Sequence, residues 1–181
     1  PASSDAGRVT VSGRIAAILS QMRPAPTLPI PGDRPRILII RLSALGDVVF
    51  ATSLLEALRR RYPQAHIGWL VQDNFAGILE GDPRIDELIT INRKILRSPS
   101  GLMRLRRQIA PSKYEWVIDA QGLAKSRLLA QLVPNAIRMG FPSKEPGEFL
   151  IDKIIHQGTD TGEISWEYRH LAQKITGQPA G

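Results

Sequence analysis

Hydrophobic residues along the chain alternate between short continuous runs and stretches with helical spacing. The first continuous run, Arg36 to Leu42, is rich in β-branched side chains and predicts a strand buried on both faces of a parallel sheet. Apolar residues then recur every three or four positions, which predicts a helix from Asp47 to Arg61, stopped by Pro63. Four further strands are predicted at His66 to Val71, Glu87 to Ile91, Tyr114 to Asp119 and Ala136 to Phe141.

Helical stretches separate these strands along most of the chain. Further helices are predicted at Asp73 to Leu79, Gly101 to Ala110, Leu123 to Leu132 and Glu163 to Thr176. The pattern leaves the segment from Phe149 to Ile155 open between helix and strand. Strands that alternate with helices imply right-handed crossovers. We therefore expect an α/β fold, a Rossmann-like parallel sheet with helices on both faces.

The first 35 residues differ in composition from the rest. Residues 9–22 have weak amphipathic spacing, and Arg23 to Pro35 contains five prolines, which is typical of an extended linker. We therefore divide the chain into an N-terminal extension with a proline-rich linker, residues 1–35, and one Rossmann-like domain, residues 36–181.

Composition narrows the possible chemistry. A hydrophobic fraction of 43% is ample for a core, and the absence of cysteine excludes disulfides and thiolate metal sites. The three histidines are scattered without metal-ligand spacing, so we expect no metal site. No apolar run approaches the length needed to cross a bilayer.

The net charge of +7 is concentrated in one stretch. Six arginines and lysines lie between Asn92 and Gln108 without any acidic residue among them. Such a cluster is most often a solvated basic face, but it also suits an anion-binding surface. Nucleic acid is the usual alternative partner, yet no groove-reading motif accompanies the cations, so we expect no nucleic-acid partner.

The loop between the first strand and its helix carries candidate chemistry. Ser43, Ala44 and Gly46 are small, which allows a tight turn and a close approach of another molecule to the backbone. Asp47 follows at the start of the helix, outside the carboxyl end of a strand, where open α/β sheets bind ligands. Its carboxylate either caps the helix or faces the crevice as a general base. Composition and spacing leave both interpretations open.

The end of the fourth predicted strand carries a similar loop. Asp119 is expected to cap the following helix, while Gln121 projects from the strand end into the same crevice as Asp47. Gly122 allows close backbone approach, and the helix N-terminus beyond it offers free N–H groups.

Two motifs resemble those of a known family. The segment from Arg41 to Asp47 reads Arg-Leu-Ser-Ala-Leu-Gly-Asp, and the segment from Val117 to Ser126 reads Val-Ile-Asp-Ala-Gln-Gly-Leu-Ala-Lys-Ser. In this order and spacing they resemble the signatures of the lipopolysaccharide heptosyltransferases, glycosyltransferase family 9, and most of all the first heptosyltransferase of the inner core. The family's usual His-Ala-x-Glu-Arg pattern is replaced here by Ile164 to Arg169, so no role is transferred to that segment.

The resemblance implies one half of a glycosyltransferase-B fold. Members of the family have two Rossmann-like halves, with the sugar nucleotide held mainly by the second, and the resemblance here covers about Arg36 to Gln178. It therefore implies an acceptor-binding domain without the donor domain, which alone should not turn over. The implied enzyme is an inverting, metal-independent transferase with no cofactor, whose donor substrate is ADP-heptose.

The resemblance also implies site residues. Asp47 would be the catalytic base. The acceptor would be held by Ser43, Ala44, Gly46, Arg93, Lys94, Arg97, Gln121, Gly122, Lys125 and Lys144. Arginine pairs with carboxylate or phosphate in a bidentate manner, which suits an anionic acceptor.

The implied acceptor is a lipid-linked, Kdo-bearing lipid A. Such a partner implies a cytoplasmic protein that contacts the inner membrane peripherally, in lipopolysaccharide core synthesis. The alternative that the sequence leaves open is a non-catalytic module that binds an anionic glycan or a partner chain.

Overall fold

The structure is a computed structural model that describes Gly32, residues 34–142, Glu145, residues 147–155 and residues 164–177. Within the last range, the side chains of residues 164–167, 169 and 172 are not described. The predicted extension up to residue 31 and the predicted acceptor residue Lys144 lie outside the described residues.

Six parallel strands form one sheet in the order β3-β2-β1-β4-β5-β6. The strands are β1 (Arg36–Ile40), β2 (His66–Gln72), β3 (Glu87–Ile91), β4 (Trp116–Asp119), β5 (Ile137–Gly140) and β6 (Lys153–Ile154). All five predicted strands are present, and the ambiguous segment resolves into a 3-10 turn, Glu148–Leu150, followed by β6. The predicted α/β class is confirmed.

In the described part of the chain, four α-helices lie between strands and a fifth follows β6. They are α1 (Leu45–Ala51), α2 (Ser53–Arg61), α3 (Pro99–Ile109), α4 (Ala124–Ala130) and α5 (Ile164–Thr176). The predicted short helix after β2 is a 3-10 helix, Asp73–Ile78. Among the described helices, none combines the length and apolar character that crossing a membrane would need.

The sheet separates two hydrophobic layers. Ile37 and Ile39 of β1 face one layer, which contains the buried side chains of α1, α2 and α5. Leu38 and Ile40 face the other layer, which contains the buried side chains of α3 and α4. Alternate residues of β1 therefore serve opposite cores, which explains why its sequence is a continuous apolar run.

The strand order reverses at β1, and this positions the site. The chain moves outward from β1 to β2 and β3, then returns to pair β4 against the other side of β1. Ile40 pairs with Asp119, so the loops that follow β1 and β4 leave the sheet side by side. In open α/β sheets such a switch point forms a crevice where ligands bind.

Candidate functional site

Asp47 lies in the first turn of α1 at the carboxyl edge of the sheet. The helix begins at Leu45, two residues earlier than predicted, so Asp47 occupies its third position rather than the cap. Its Oδ2 accepts the backbone N–H of Ala44 at 3.2 Å, which satisfies one free donor of the helix start. Neither sequence interpretation describes Asp47 fully, since Oδ2 is engaged whereas Oδ1 accepts no hydrogen bond from any described residue.

A buried arginine, which sequence reasoning gave no role, completes the surroundings of Asp47. The Nη2 of Arg41 forms an ion pair with Asp47 Oδ2. Its Nη1 donates to the carbonyl oxygen of Ala120 at 2.7 Å, and its guanidinium carbon lies 6.0 Å from the ring centre of Tyr168. Arg41 is the first residue of the motif that ends at Asp47, and this position could have identified it as a site residue. No sequence feature identified Tyr168.

Gln121 joins the two loops, at the strand-end position predicted for it. Its Oε1 accepts the backbone N–H groups of Leu42 at 2.9 Å and Ser43 at 3.2 Å. Its amide Nε2 donates to no described residue. One face of this side chain therefore fixes the loop after β1, while the other remains available.

Asp119 shapes the loop that carries Gln121. It is fully buried, and its Oδ1 accepts the N–H groups of Gln121 and Gly122, both at 3.1 Å. Burial raises the pKa of this carboxyl, and the hydrogen bonds from Gly122, Ser126 and Gln121 oppose that shift only in part. Gly122 has φ of +68°, a left-handed conformation that favours glycine. Asp119 therefore holds the loop and does not cap α4 as expected, since the cap position of that helix is Leu123.

A cleft of about 340 Å³ opens beside these loops. Three of the predicted acceptor residues line it: Ser43, Arg93 and Lys125. The other lining residues were not predicted, and they are Gln72, Asp73, Asn74, Phe75 and Asn92. They come from the ends of β2 and β3, and their position at carboxyl strand ends was the signal that could have identified them.

The cleft combines positive charge, amides and one aromatic ring. Arg93 is exposed and Lys125 half-buried, and among the described residues no carboxylate lies within ion-pair distance of either. Asp73 is the carboxylate of the cleft, and its Oδ2 accepts Asn92 Nδ2 at 3.4 Å. Such a lining can bind a hydroxylated molecule that carries an anionic group.

The other described residues of the predicted site do not line this cleft, and this includes Asp47, Gln121 and Gly122. Ala44, at the cap position of α1, and Gly46, in its first turn, are exposed, and a Cβ at Gly46 would meet no atom within 4 Å. Lys94 and Arg97 are exposed and do not line the cleft. Among the described residues, no cluster of three or more histidine and carboxylate side chains is arranged to hold a metal ion.

Comparison with known proteins confirms the resemblance inferred from the motifs. No family model matches the chain. Lipopolysaccharide heptosyltransferase 1 of Campylobacter coli is 35% identical over 101 residues, which cover 54% of this chain and 28% of the relative. The Salmonella typhimurium protein of the same name is 30% identical over 112 residues, 58% of this chain and 35% of the relative.

Solved structures agree with this similarity. A family 9 glycosyltransferase from Veillonella parvula aligns with a TM-score of 0.71 and 27% identity, over 81% of this chain and 43% of its own. The E. coli heptosyltransferase WaaC with ADP aligns with a TM-score of 0.69 and 24% identity, over 81% of this chain and 48% of its own. The chain thus spans about a third of the curated relatives and about half of these solved chains.

Proposed function

We propose that this chain is the acceptor-binding half of an inverting, metal-independent heptosyltransferase. It would transfer heptose from ADP-heptose to a Kdo-lipid A type acceptor in lipopolysaccharide core synthesis. The observation that carries the proposal is the half-exposed carboxylate of Asp47, whose Oδ1 is unengaged by any described residue at the switch point of the sheet. Similarity to lipopolysaccharide heptosyltransferase 1 and to a family 9 glycosyltransferase supports the choice of reaction.

Asp47 would act as the general base. As the acceptor hydroxyl attacks the anomeric carbon of the heptose, Oδ1 takes the hydroxyl proton, the new glycosidic C–O bond forms, and the bond to the ADP leaving group breaks. One displacement from the face opposite the leaving group inverts the anomeric centre. A positioned base of this kind typically contributes about 10²–10⁴-fold to a rate.

The acceptor would lie in the cleft, with its reacting hydroxyl extended past Ser43 toward Asp47, which does not itself line the cleft. Arg93 and Lys125 would bind its carboxylate or phosphate groups, and Ser43 would donate to a hydroxyl. Gln121 Nε2 would donate to another hydroxyl from the neighbouring loop. Lys94 and Arg97 would extend the positive surface at the rim, and Ala44, Gly46 and Gly122 would let the saccharide approach the backbone. Lys144 would add a further cation.

The donor would be held by a second domain outside this chain. A solved heptosyltransferase binds ADP-2-deoxy-2-fluoro heptose, and this chain covers 50% of it. Without a donor positioned against the base, the 181 residues alone would bind acceptor but not turn over. A lipid-linked acceptor would place the protein in the cytoplasm, in peripheral contact with the inner membrane.

Replacement of Asp47 in the complete gene product tests this proposal. We expect Asp47→Ala to reduce heptose transfer, followed by mass spectrometry of the acceptor, by about 10²-fold or more, because the proton loses its acceptor. The variant should stay folded but unfold at a lower temperature, since the buried Arg41 loses its counter-ion, and circular dichroism at the assay temperature checks that it is folded. The exposed Glu80→Ala provides a matched control with unchanged transfer. Full transfer by Asp47→Ala would refute the proposal.

A second candidate is a non-catalytic module that binds an anionic glycan. The observation that favours it is that the cleft is built within this chain, between the ends of β1, β2, β3 and β4. A module would bind the acceptor in the wild-type protein without transferring heptose, and binding would persist in Asp47→Ala. Heptose transfer by the wild-type protein excludes this candidate.

A further inference from the structure

Arg41 connects Asp47 to two other parts of the fold. It is only 8% exposed, directly after β1. Its guanidinium reaches the carbonyl oxygen of Ala120 in the loop after β4 and lies over Tyr168 of α5. The Tyr168 hydroxyl donates to the same Ala120 oxygen at 3.3 Å, so both side chains converge on one backbone group. The backbone of Arg41 is fixed as well, since its carbonyl oxygen accepts a hydrogen bond from Trp69 Nε1 at 3.2 Å.

The charge of Arg41 has one counter-ion in the described part of the chain. Asp47 is the described carboxylate within ion-pair distance of the guanidinium. Nε of Arg41 is buried without a hydrogen-bond partner among the described groups, so the cation depends on Asp47 and Ala120 for compensation. A buried cation that loses its anion is strongly destabilised, which makes this ion pair a persistent contact.

The contact engages one particular oxygen of the Asp47 carboxylate, which matters for its chemistry. Arg41 Nη2 and the Ala44 N–H both engage Oδ2 of Asp47. Two donors on Oδ2 restrain the rotation of the carboxylate and leave Oδ1 without a partner among the described residues. Arg41, like Asp47, is not among the residues that line the cleft, and Tyr168 and the loop after β4 cover it.

We propose that Arg41 is a positioning residue that aims Oδ1 of Asp47 at the acceptor hydroxyl. The inference rests on the proposed function of Asp47 as the base. It adds that the geometry of the base is set from outside the cleft, by a guanidinium locked between the loop after β4 and α5. Lysine could keep the charge but, as a compact ammonium, could not hold Ala120 and Asp47 in the same planar fork.

Kinetics of Arg41 variants in the complete gene product separate positioning from binding. We expect Arg41→Ala to lower kcat by about 10²-fold with the acceptor KM changed less than about 3-fold, because a base misplaced by about 1 Å loses this much. Arg41→Lys should lie between wild type and Arg41→Ala. Guanidinium ion at millimolar concentration should restore part of kcat to Arg41→Ala, but none to Asp47→Ala. Arg60→Ala, which removes an exposed arginine, is the matched control without loss or rescue.

Two kinetic outcomes would overturn the inference: an unchanged kcat in Arg41→Ala, or a raised acceptor KM at constant kcat.

Crystal structures of the wild-type, Arg41→Lys and Arg41→Ala proteins test the inference without an activity measurement. We expect Asp47 to leave the Ala44 N–H in Arg41→Ala, and an unmoved carboxylate overturns the inference. If Arg41→Ala does not fold, Arg41→Lys decides by the same criteria. Absence of transfer by the wild-type protein would refute the proposed function instead, and the crystal structures would still judge the positioning role.

Discussion

The glycine at position 68 of β2 leaves space for the side chain of Tyr114, which packs against it from the segment before β4. Gly68 faces the layer that contains Tyr114, and a Cβ at this position would overlap the Tyr114 hydroxyl and lie 2.6 Å from its ring carbon Cζ. Tyr114 is 2% exposed and cannot swing into solvent without opening the core.

We expect Gly68→Ala to lower the free energy of unfolding by about 1–3 kcal/mol, because overpacking a filled core forces neighbours from their preferred positions. Gly77→Ala is the matched control, since a Cβ there meets no atom within 4 Å, and its effect should stay within about 0.5 kcal/mol. Urea unfolding followed by circular dichroism measures both. Equal stability of the two variants would show that Tyr114 can move aside without lowering the free energy of unfolding.

At the residue scale, the sequence identified the side chains at the ends of strands better than the buried side chains that contact them. Asp47 and Gln121 were predicted at the carboxyl ends of strands, because each lies shortly after an apolar run. The contact of Arg41 with Tyr168 joins residues 127 positions apart, in a segment where the motif comparison failed. Periodicity reports which face a residue occupies but not its partner across the fold, so this contact required the structure.

Hydroxyl side chains divide what the sequence predicts as one helix. The apolar spacing continues from Val48 to Leu58, yet α1 ends at Ala51 and α2 begins at Ser53. Thr52 Oγ1 donates to the carbonyl oxygen of Val49 at 2.7 Å, and Ser53 Oγ donates to that of Phe50 at 2.8 Å. Side chains that bond to the carbonyls of the preceding turn bend a helix without disturbing its apolar face. The hydrophobic pattern therefore could not reveal the break.

A carboxylate at the amino edge of the sheet links β2 and β3 to the segment before β4. Glu87 begins β3, and its Oε2 accepts the hydroxyls of Ser112 at 2.6 Å and Tyr114 at 2.7 Å and lies 3.5 Å from His66 Nε2. Burial raises the pKa of Glu87, but the bonds from Ser112, Tyr114 and His66 together outweigh it, so the pKa lies below its usual 4.5. A lowered pKa in the folded state means that the ionised form stabilises the fold.

We expect Glu87→Gln to lower the free energy of unfolding by about 1.5–3 kcal/mol at neutral pH, the range for hydrogen bonds to a charged group. The stabilisation is fully present above the unfolded-state pKa near 4.5 and is lost as the pH falls through the lower pKa of the folded state. Urea unfolding from neutral to acid pH should therefore show the two proteins converging below pH 4.5. Exposed Glu80→Gln should follow wild type throughout, and a gap that widens toward acid pH would contradict the assignment.

At the scale of the whole molecule, alternation of strands and helices was enough to predict a parallel sheet but not its order. The sheet order determines that the ends of β1 and β4 meet, and hence that the two motifs form one site. The basic stretch was predicted as one surface, but the structure distributes it. Arg93 lines the cleft, whereas Arg104 and Arg107 are exposed on α3 and do not. Charge along a sequence cannot distinguish these positions, because it does not show which cations line the cleft.

This distribution provides a matched pair of variants for acceptor binding. Arg93→Gln with Lys125→Gln removes two charges from the cleft, and Arg104→Gln with Arg107→Gln removes two from α3. Net charge falls equally, so any long-range attraction changes alike in both. Calorimetric titration of the complete gene product with a Kdo-bearing, phosphorylated acceptor glycan compares their dissociation constants.

We expect the cleft pair to weaken binding by at least about 10-fold, because each charge-assisted contact contributes about 1.5–3 kcal/mol. The α3 pair should weaken it less than about 3-fold at about 0.15 M salt, since exposed charges beyond about 8 Å are largely screened. Raising the salt should erase the small effect of the α3 pair while most of the cleft effect remains, because direct contacts are screened much less than distant ones. Equal weakening by the two pairs, with the same salt dependence, would mean that the acceptor is held by the general field of a basic protein and that the cleft has no specific role.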